Sequence, residues 1–118
     1  MFRHQLVRAL LAHFAERAGY SGPLRVFTRR EHFDRLCRGR KVPLTTDERA
    51  AYAVTLYGRV PTTWFALDRH RGIRSLANSA AHEAIHIARG PEFPCETANG
   101  RRVPAFDAEV RRLLRGGD

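Results

Sequence analysis

Ser79-Ala80-Ala81-His82-Glu83-Ala84-Ile85-His86-Ile87-Ala88 contains the pattern H-E-x-x-H, and the rest of the chain is read outward from it. On a helix, residues four apart project from one face, one turn above the other. His82 and His86 can then reach a single Zn²⁺ at about 2.0–2.1 Å. Glu83 stands about 100° round the helix from His82, where it can take a proton from a metal-bound water rather than bind the metal. With 6 His and 7 Glu among 118 residues, chance supplies about 0.02 copies of this pattern. The surroundings agree. Nothing between Ile73 and Arg89 breaks a helix, Ala stands at positions 77, 80, 81, 84 and 88, and Gly90-Pro91 stops it. Ala77, Ala80, Ala84 and Ala88 form a small, smooth packing face, which Ile73, Leu76 and Ile87 extend. The bland alternative is a helix with two surface histidines and a surface glutamate.

Upstream of this helix, residues 2–18 carry Phe2, Leu6, Val7, Leu10, Leu11 and Phe14 at helical spacing, with Arg3, Arg8, Glu16 and Arg17 outside that stripe. Gly19 and Ser21-Gly22-Pro23 end it. This predicts an amphipathic helix covering a sheet. Leu24 to Thr28 alternates with period two and reads as a short strand. Arg30 to Cys37 has helical spacing at Phe33, Leu36 and Cys37, and polar residues 38–48, with Gly39 and Pro43, read as a loop. Tyr52, Val54, Leu56 and Val60 alternate, which predicts a strand from about 53 to 59. Thr63-Trp64-Phe65-Ala66-Leu67-Asp68 is the clearest strand, and Arg69 to Gly72 turn it into the H-E-x-x-H helix. Residues 90–103 form a connection long enough to be functional. Pro104 then opens a last helix with Phe106, Val110, Leu113 and Leu114 apolar, ended by Gly116-Gly117. The expectation is one α+β domain over residues 1–118: an N-terminal helix, a mixed sheet of about three strands, the H-E-x-x-H helix and a C-terminal helix.

Composition bounds the partners. Hydrophobic residues make 43% and charged residues 28%, as in a globular domain. No run approaches the 18 apolar residues of a membrane span, and Arg3, His4 and Arg8 interrupt any signal-peptide core. No membrane partner is expected. The net charge is +9, and among the 21 basic residues only Lys41 is Lys. Arginine forks bind phosphate and carboxylate bidentately, so nucleic acid or an acidic partner is open beside a purely solubilising role. Cys37 and Cys95 are far apart with no C-x-x-C, which reads as reduced, cytoplasmic protein, with one bridge between them as the alternative.

Trp64-Phe65-Ala66-Leu67-Asp68, the turn, the H-E-A-I-H helix and the closing Pro104-Ala105-Phe106 helix together resemble the SprT-like (Spartan-type) zincin metalloproteases over roughly residues 60–115. The resemblance implies a zincin-like fold, zinc, peptide or protein hydrolysis, and association with DNA. It also implies that the strand before the helix gives a sheet edge along which a peptide lies, and that an H-G-P-x-F segment supplies a third histidine. Aligned on P-x-F, this chain has Arg102 and Val103 in place of His-Gly. Arginine cannot act as a ligand, and no histidine follows His86.

Five residues remain for a third ligand: Glu92, Cys95, Glu96, Asp107 and Glu109. Glu92 has metzincin-like separation from His82, and Cys95 and Glu96 lie in the loop. Glu109 shares a helix face with Arg102 and Phe106 and has the longer reach, so it ranks first. The expected site is Zn²⁺ on His82, His86 and Glu109 with Glu83 as general base, hydrolysing peptides. The alternative is a catalytically degenerate zincin-fold protein that binds nucleic acid or protein through its basic surface. His4, His13 and His32 read as surface histidines. His70 reads as a surface residue before a substrate contact, and Tyr52, Tyr57 and Trp64 as core or sheet-face aromatics. Arg102 is left between orienting a substrate and being one more arginine.

Overall fold

Helix α1 (His4–Arg17) buries Val7, Leu11, Phe14 and Ala15, the i, i+4, i+7, i+8 stripe of a helix with one face on a core. Leu6, at the edge of that stripe, stays 41% exposed. The computed structural model describes residues 4–31, 35 and 53–116. Cys37, His32, Tyr52 and the loop read over 38–48 fall outside them. Of the helix expected over 30–37, Arg30, Glu31 and Arg35 are described, and all three are helical.

Three strands form one mixed sheet: β1 (Arg25–Phe27), β2 (Ala53–Leu56) and β3 (Thr62–Phe65), in the order β1-β3-β2. β1 runs parallel to β3, and β2 runs antiparallel to it. Residues 57–61, with Gly58 and Pro61, join β2 to β3, so β2 ends at Leu56 rather than continuing to 59. The register places Thr55 opposite Thr63 and Val54 opposite Trp64. β3 begins and ends earlier than its apolar run, because Leu67–Arg69 winds into a 3₁₀ turn. Phe27 and Trp64 stack on the sheet at 5.4 Å between ring centroids.

Helix α2 (Ile73–Arg89) has the bounds its sequence predicts. Gly90 ends it with φ of +76° and returns its N–H to the carbonyl of His86, the left-handed conformation that glycine adopts at no steric cost. α2 is the centre of the domain. α1 packs along it, α3 (Pro104–Leu114) packs on it from another side, and β2 lies against it. Ala80, Ala81 and Ala84 are fully buried, and their small side chains permit these close approaches. α3 buries Phe106, Val110 and Leu113. Leu11, Phe65, Leu76, Ile85, Phe106 and Leu113 meet in one core, each contributing about 1.5–3 kcal/mol through burial.

The connection 90–103 contains a small hairpin. Glu96 pairs antiparallel with Arg102. Val103 N–H donates to the Cys95 carbonyl, and Thr97 N–H to that of Arg101. Gly100, with φ of +78°, makes the turn after Asn99. Among the described residues no helix is long and apolar enough to cross a membrane.

Candidate metal centre

The helical spacing sets the two histidines one turn apart, and the Nε2 atoms of His82 and His86 face each other at 3.2 Å. A tetrahedral site with bonds of 2.0–2.1 Å has an N···N edge of about 3.3 Å, so the pair is already spaced for one ion. Phe106 fixes the rings from below: its centroid lies 4.7 Å from each imidazole, and Phe93 stacks on it at 5.5 Å. Burial brings both imidazoles down to about pKa 4. The other ring adds to this at His82, and Arg102 adds to it at both. Both rings are therefore neutral at pH 7 and keep the lone pair a metal requires.

The third converging group is Cys95. Its sulfur and one nitrogen from each histidine all lie within 4.8 Å of one another. Among the described residues this is the one group of three His, Cys or acidic side chains that converges as metal ligands would. Burial, then the carboxylates of Glu96 and Glu83, push the Cys95 thiol up, against the pull of Arg102. Glu109, ranked first from sequence, points elsewhere: its Oε2 accepts from Arg112 Nη2 at 2.8 Å, one turn further along α3. Asp107 holds the Arg102 guanidinium through Nε and Nη2. Glu92 is exposed, and Glu96 lines the cleft beside Cys95.

Glu83 points from α2 into the sheet and is buried. Thr55 Oγ1 donates to its Oε1 at 2.8 Å. That uses the one hydroxyl hydrogen of Thr55, so at 2.8 Å it is Thr63 Oγ1 that donates to Thr55 Oγ1. The register of β2 on β3 thus holds the carboxylate from behind. Its other oxygen, Oε2, lies 4.0 Å from His82 Nε2. Burial raises this carboxyl to about pKa 7, and the Thr55 hydrogen bond opposes the rise. The group is poised to gain and lose a proton near neutrality.

These residues open on a cleft of about 630 Å³ between β2 and the 95–102 hairpin. No family model, curated protein or solved structure matches the chain. What the site can do is read from its own geometry. Two neutral imidazoles and a thiol that could ionise on binding a metal, beside a carboxyl of pKa about 7, suit metal-assisted proton transfer.

Two aromatic or histidine positions differ from their sequence reading. His70 is not at the surface but 7% exposed. Its ring lies 3.0 Å from the Ala66 carbonyl and 2.9 Å from Ser79 Oγ, which ties the 3₁₀ turn to α2. Tyr57 is not a core aromatic. It lines the cleft with its Oη 3.2 Å from His86 Nδ1, and burial with the nearby Glu83 and Cys95 pushes its hydroxyl up to about pKa 12. His4 and His13 are exposed as expected. Sequence reasoning also missed Thr55 and Thr63. The alternation of β2 and the Gly58–Pro61 connection point to a hairpin, but not to which threonines face each other across it.

Proposed function

We propose that this chain is a zinc-dependent peptidase with a zincin-like site resembling the SprT-like proteases, in which His82, His86 and Cys95 hold the metal. The observation that carries this reading is the 3.2 Å approach of the two imidazole nitrogens beside Cys95, with the buried Glu83 carboxylate at 4.0 Å. When bound, zinc acidifies a water and polarises the scissile carbonyl. Glu83 Oε2 would accept the proton of the water that attacks the carbonyl carbon. When the C–N bond breaks, Glu83 returns that proton to the leaving amine, giving a carboxylic acid and an amine. Thr55 and Thr63 keep Oε1 occupied, so that Oε2 is the oxygen that exchanges the proton.

The substrate is an extended peptide segment. β3, the strand before the helix and the expected substrate edge, is instead the central strand, paired with β1 and β2; among the described residues the open edge beside the cleft belongs to β2, where backbone N–H and C=O groups can pair with a peptide strand. A thiolate ligand calls for a reducing compartment, which fits a cytoplasmic setting. The basic surface, with Arg25, Arg29, Arg74, Arg101 and Arg111 exposed, supports an accompanying contact with nucleic acid. The test is the zinc-to-chain ratio of the purified protein, together with cleavage of an unfolded protein substrate. Stoichiometric zinc and cleavage lost on chelation are expected. A metal-free protein that gains no zinc on titration overturns the proposal in favour of a non-catalytic binding module.

A further inference from the structure

We infer, resting on the peptidase reading above, that Glu96 is a specificity-determining residue that seats a lysine or arginine side chain of the substrate peptide in the cleft. Glu96 lines the cleft on the hairpin wall, next to Cys95, and is half-buried. It is not one of the three converging donors. Its antiparallel partner across the hairpin is Arg102, and opposite charges so placed ordinarily pair with each other. Here Asp107 has taken the guanidinium. Arg102 donates to it through Nε and Nη2, so the ion pair forms with Asp107 and the Glu96 carboxylate has none among the described residues. A half-buried carboxylate without a counter-charge carries a desolvation cost that a bound cation offsets.

The backbone agrees with a peptide strand passing at this point. Thr97 N–H donates to the Arg101 carbonyl and Val103 N–H to that of Cys95, so the hairpin makes its ladder bonds on either side of Glu96. The N–H and C=O of Glu96 itself therefore point out of the hairpin. A peptide lying along β2 meets this second edge, with alternate side chains turned to one face. The other groups lining the cleft leave little to select by charge. Glu83 is buried and held by Thr55, Thr97 Oγ1 accepts from the Arg101 N–H, and Ala53, Val54 and Ala98 are apolar. The charge selected is therefore positive, on a chain whose net charge of +9 would otherwise repel a basic peptide.

Matched fluorogenic peptides test this, with lysine at each position in turn or with norleucine, which keeps the stem without the ammonium. Each is made with a free and with an acetylated N-terminus. The zinc-loaded parent should favour lysine at one position about tenfold in kcat/KM, the lower end for a hydrogen bond to a charged group because the pair is partly exposed. The preference should shrink as salt rises. Glu96→Gln should abolish it, and Glu96→Lys should shift it to a glutamate peptide. Fluorescence anisotropy with Glu83→Gln, as purified and after zinc loading, reads the same ratio in binding, apart from the chemistry. No lysine preference in either assay, or one that survives in Glu96→Gln, overturns the role of Glu96. A preference confined to free N-termini assigns the carboxylate to a terminal ammonium and overturns the side-chain selection. A lysine preference in binding, lost in Glu96→Gln, with no cleavage by the parent overturns the peptidase reading and upholds the cation site.

Discussion

Replacing Cys95 by serine is the sharpest perturbation of the proposed site. The change removes sulfur and leaves the backbone bond from Val103 N–H to the Cys95 carbonyl in place, so the hairpin is kept. Four-donor structural zinc sites are worth about 10–16 kcal/mol, or about 2.5–4 kcal/mol per donor. At 1.4 kcal/mol per tenfold, Cys95→Ser should weaken zinc binding by about 10²–10³. Protons give an independent readout. His82 and His86, near pKa 4, are already neutral at pH 7, whereas the Cys95 thiol is pushed up and keeps its proton. Zinc binding should therefore release about one proton more from the parent protein than from Cys95→Ser, since Glu83 and the bound water contribute alike to both. Competition with a chromophoric chelator measures the affinity, and titration calorimetry in two buffers of different ionisation enthalpy counts the protons. Equal affinity and equal proton release in the variant would refute the role of Cys95. If Glu109→Gln lost affinity instead, the carboxylate favoured by the sequence would be the ligand.

Glu83→Gln should keep zinc, since both imidazoles remain, and lose about 10²–10⁴ in peptide hydrolysis; equal turnover in variant and parent removes Glu83 as the base. His70→Gln should cost about 1–3 kcal/mol by urea unfolding, because it breaks the bonds to Ser79 Oγ and the Ala66 carbonyl, which keeps only the Arg69 N–H. Burial holds the His70 pKa below 6.5, so its stabilising contribution is complete above pH 6.5 and is lost as pH falls below it. In the metal-free protein the urea midpoint should accordingly fall less steeply below pH 6.5 for His70→Gln than for the parent, and identical slopes refute the assignment. If the +9 charge contacts duplex DNA, log affinity should fall against log salt with a slope of about −0.9 per phosphate. Gel shifts without salt dependence contradict such contacts.

The parts of the site that lie within one helix were legible in the sequence. Ala-rich composition and Gly90 define α2, and a period of 3.6 places His82 above His86, so the paired imidazoles and the adjacent glutamate need no tertiary information. Phe106 was legible as the residue α3 must bury against α2. The third group of the cluster, Cys95, was not, because its place depends on a hairpin register. Residues 90–103 read as an open connection, although Asn99-Gly100 is a hairpin turn signal, and it is that turn which sets Cys95 near the histidines. Glu109 ranked high on helix-face geometry. That geometry brought Phe106 to the imidazoles, but Glu109, most of a turn further on, met Arg112 instead. Tyr57 and Thr55 were hidden for a related reason. Alternation identifies a strand but leaves its register, and hence its facing residues, to the partner strand.

Charge explains why a thiol suits this cleft where the resembled family has a histidine. Arg102 occupies that position, and its positive charge already depresses both imidazoles. A divalent ion held by neutral histidines beside an arginine would sit in an uncompensated cationic site, which is costly where water is partly excluded. Asp107 neutralises the guanidinium directly. A thiolate at Cys95 and the carboxylate of Glu83 then match the two charges of the ion. Arg102 and Cys95, adjacent through the Glu96–Arg102 pairing of one hairpin, are compatible in the proposed site: Asp107 balances the guanidinium, and a thiolate at Cys95 would offset part of the ion's charge.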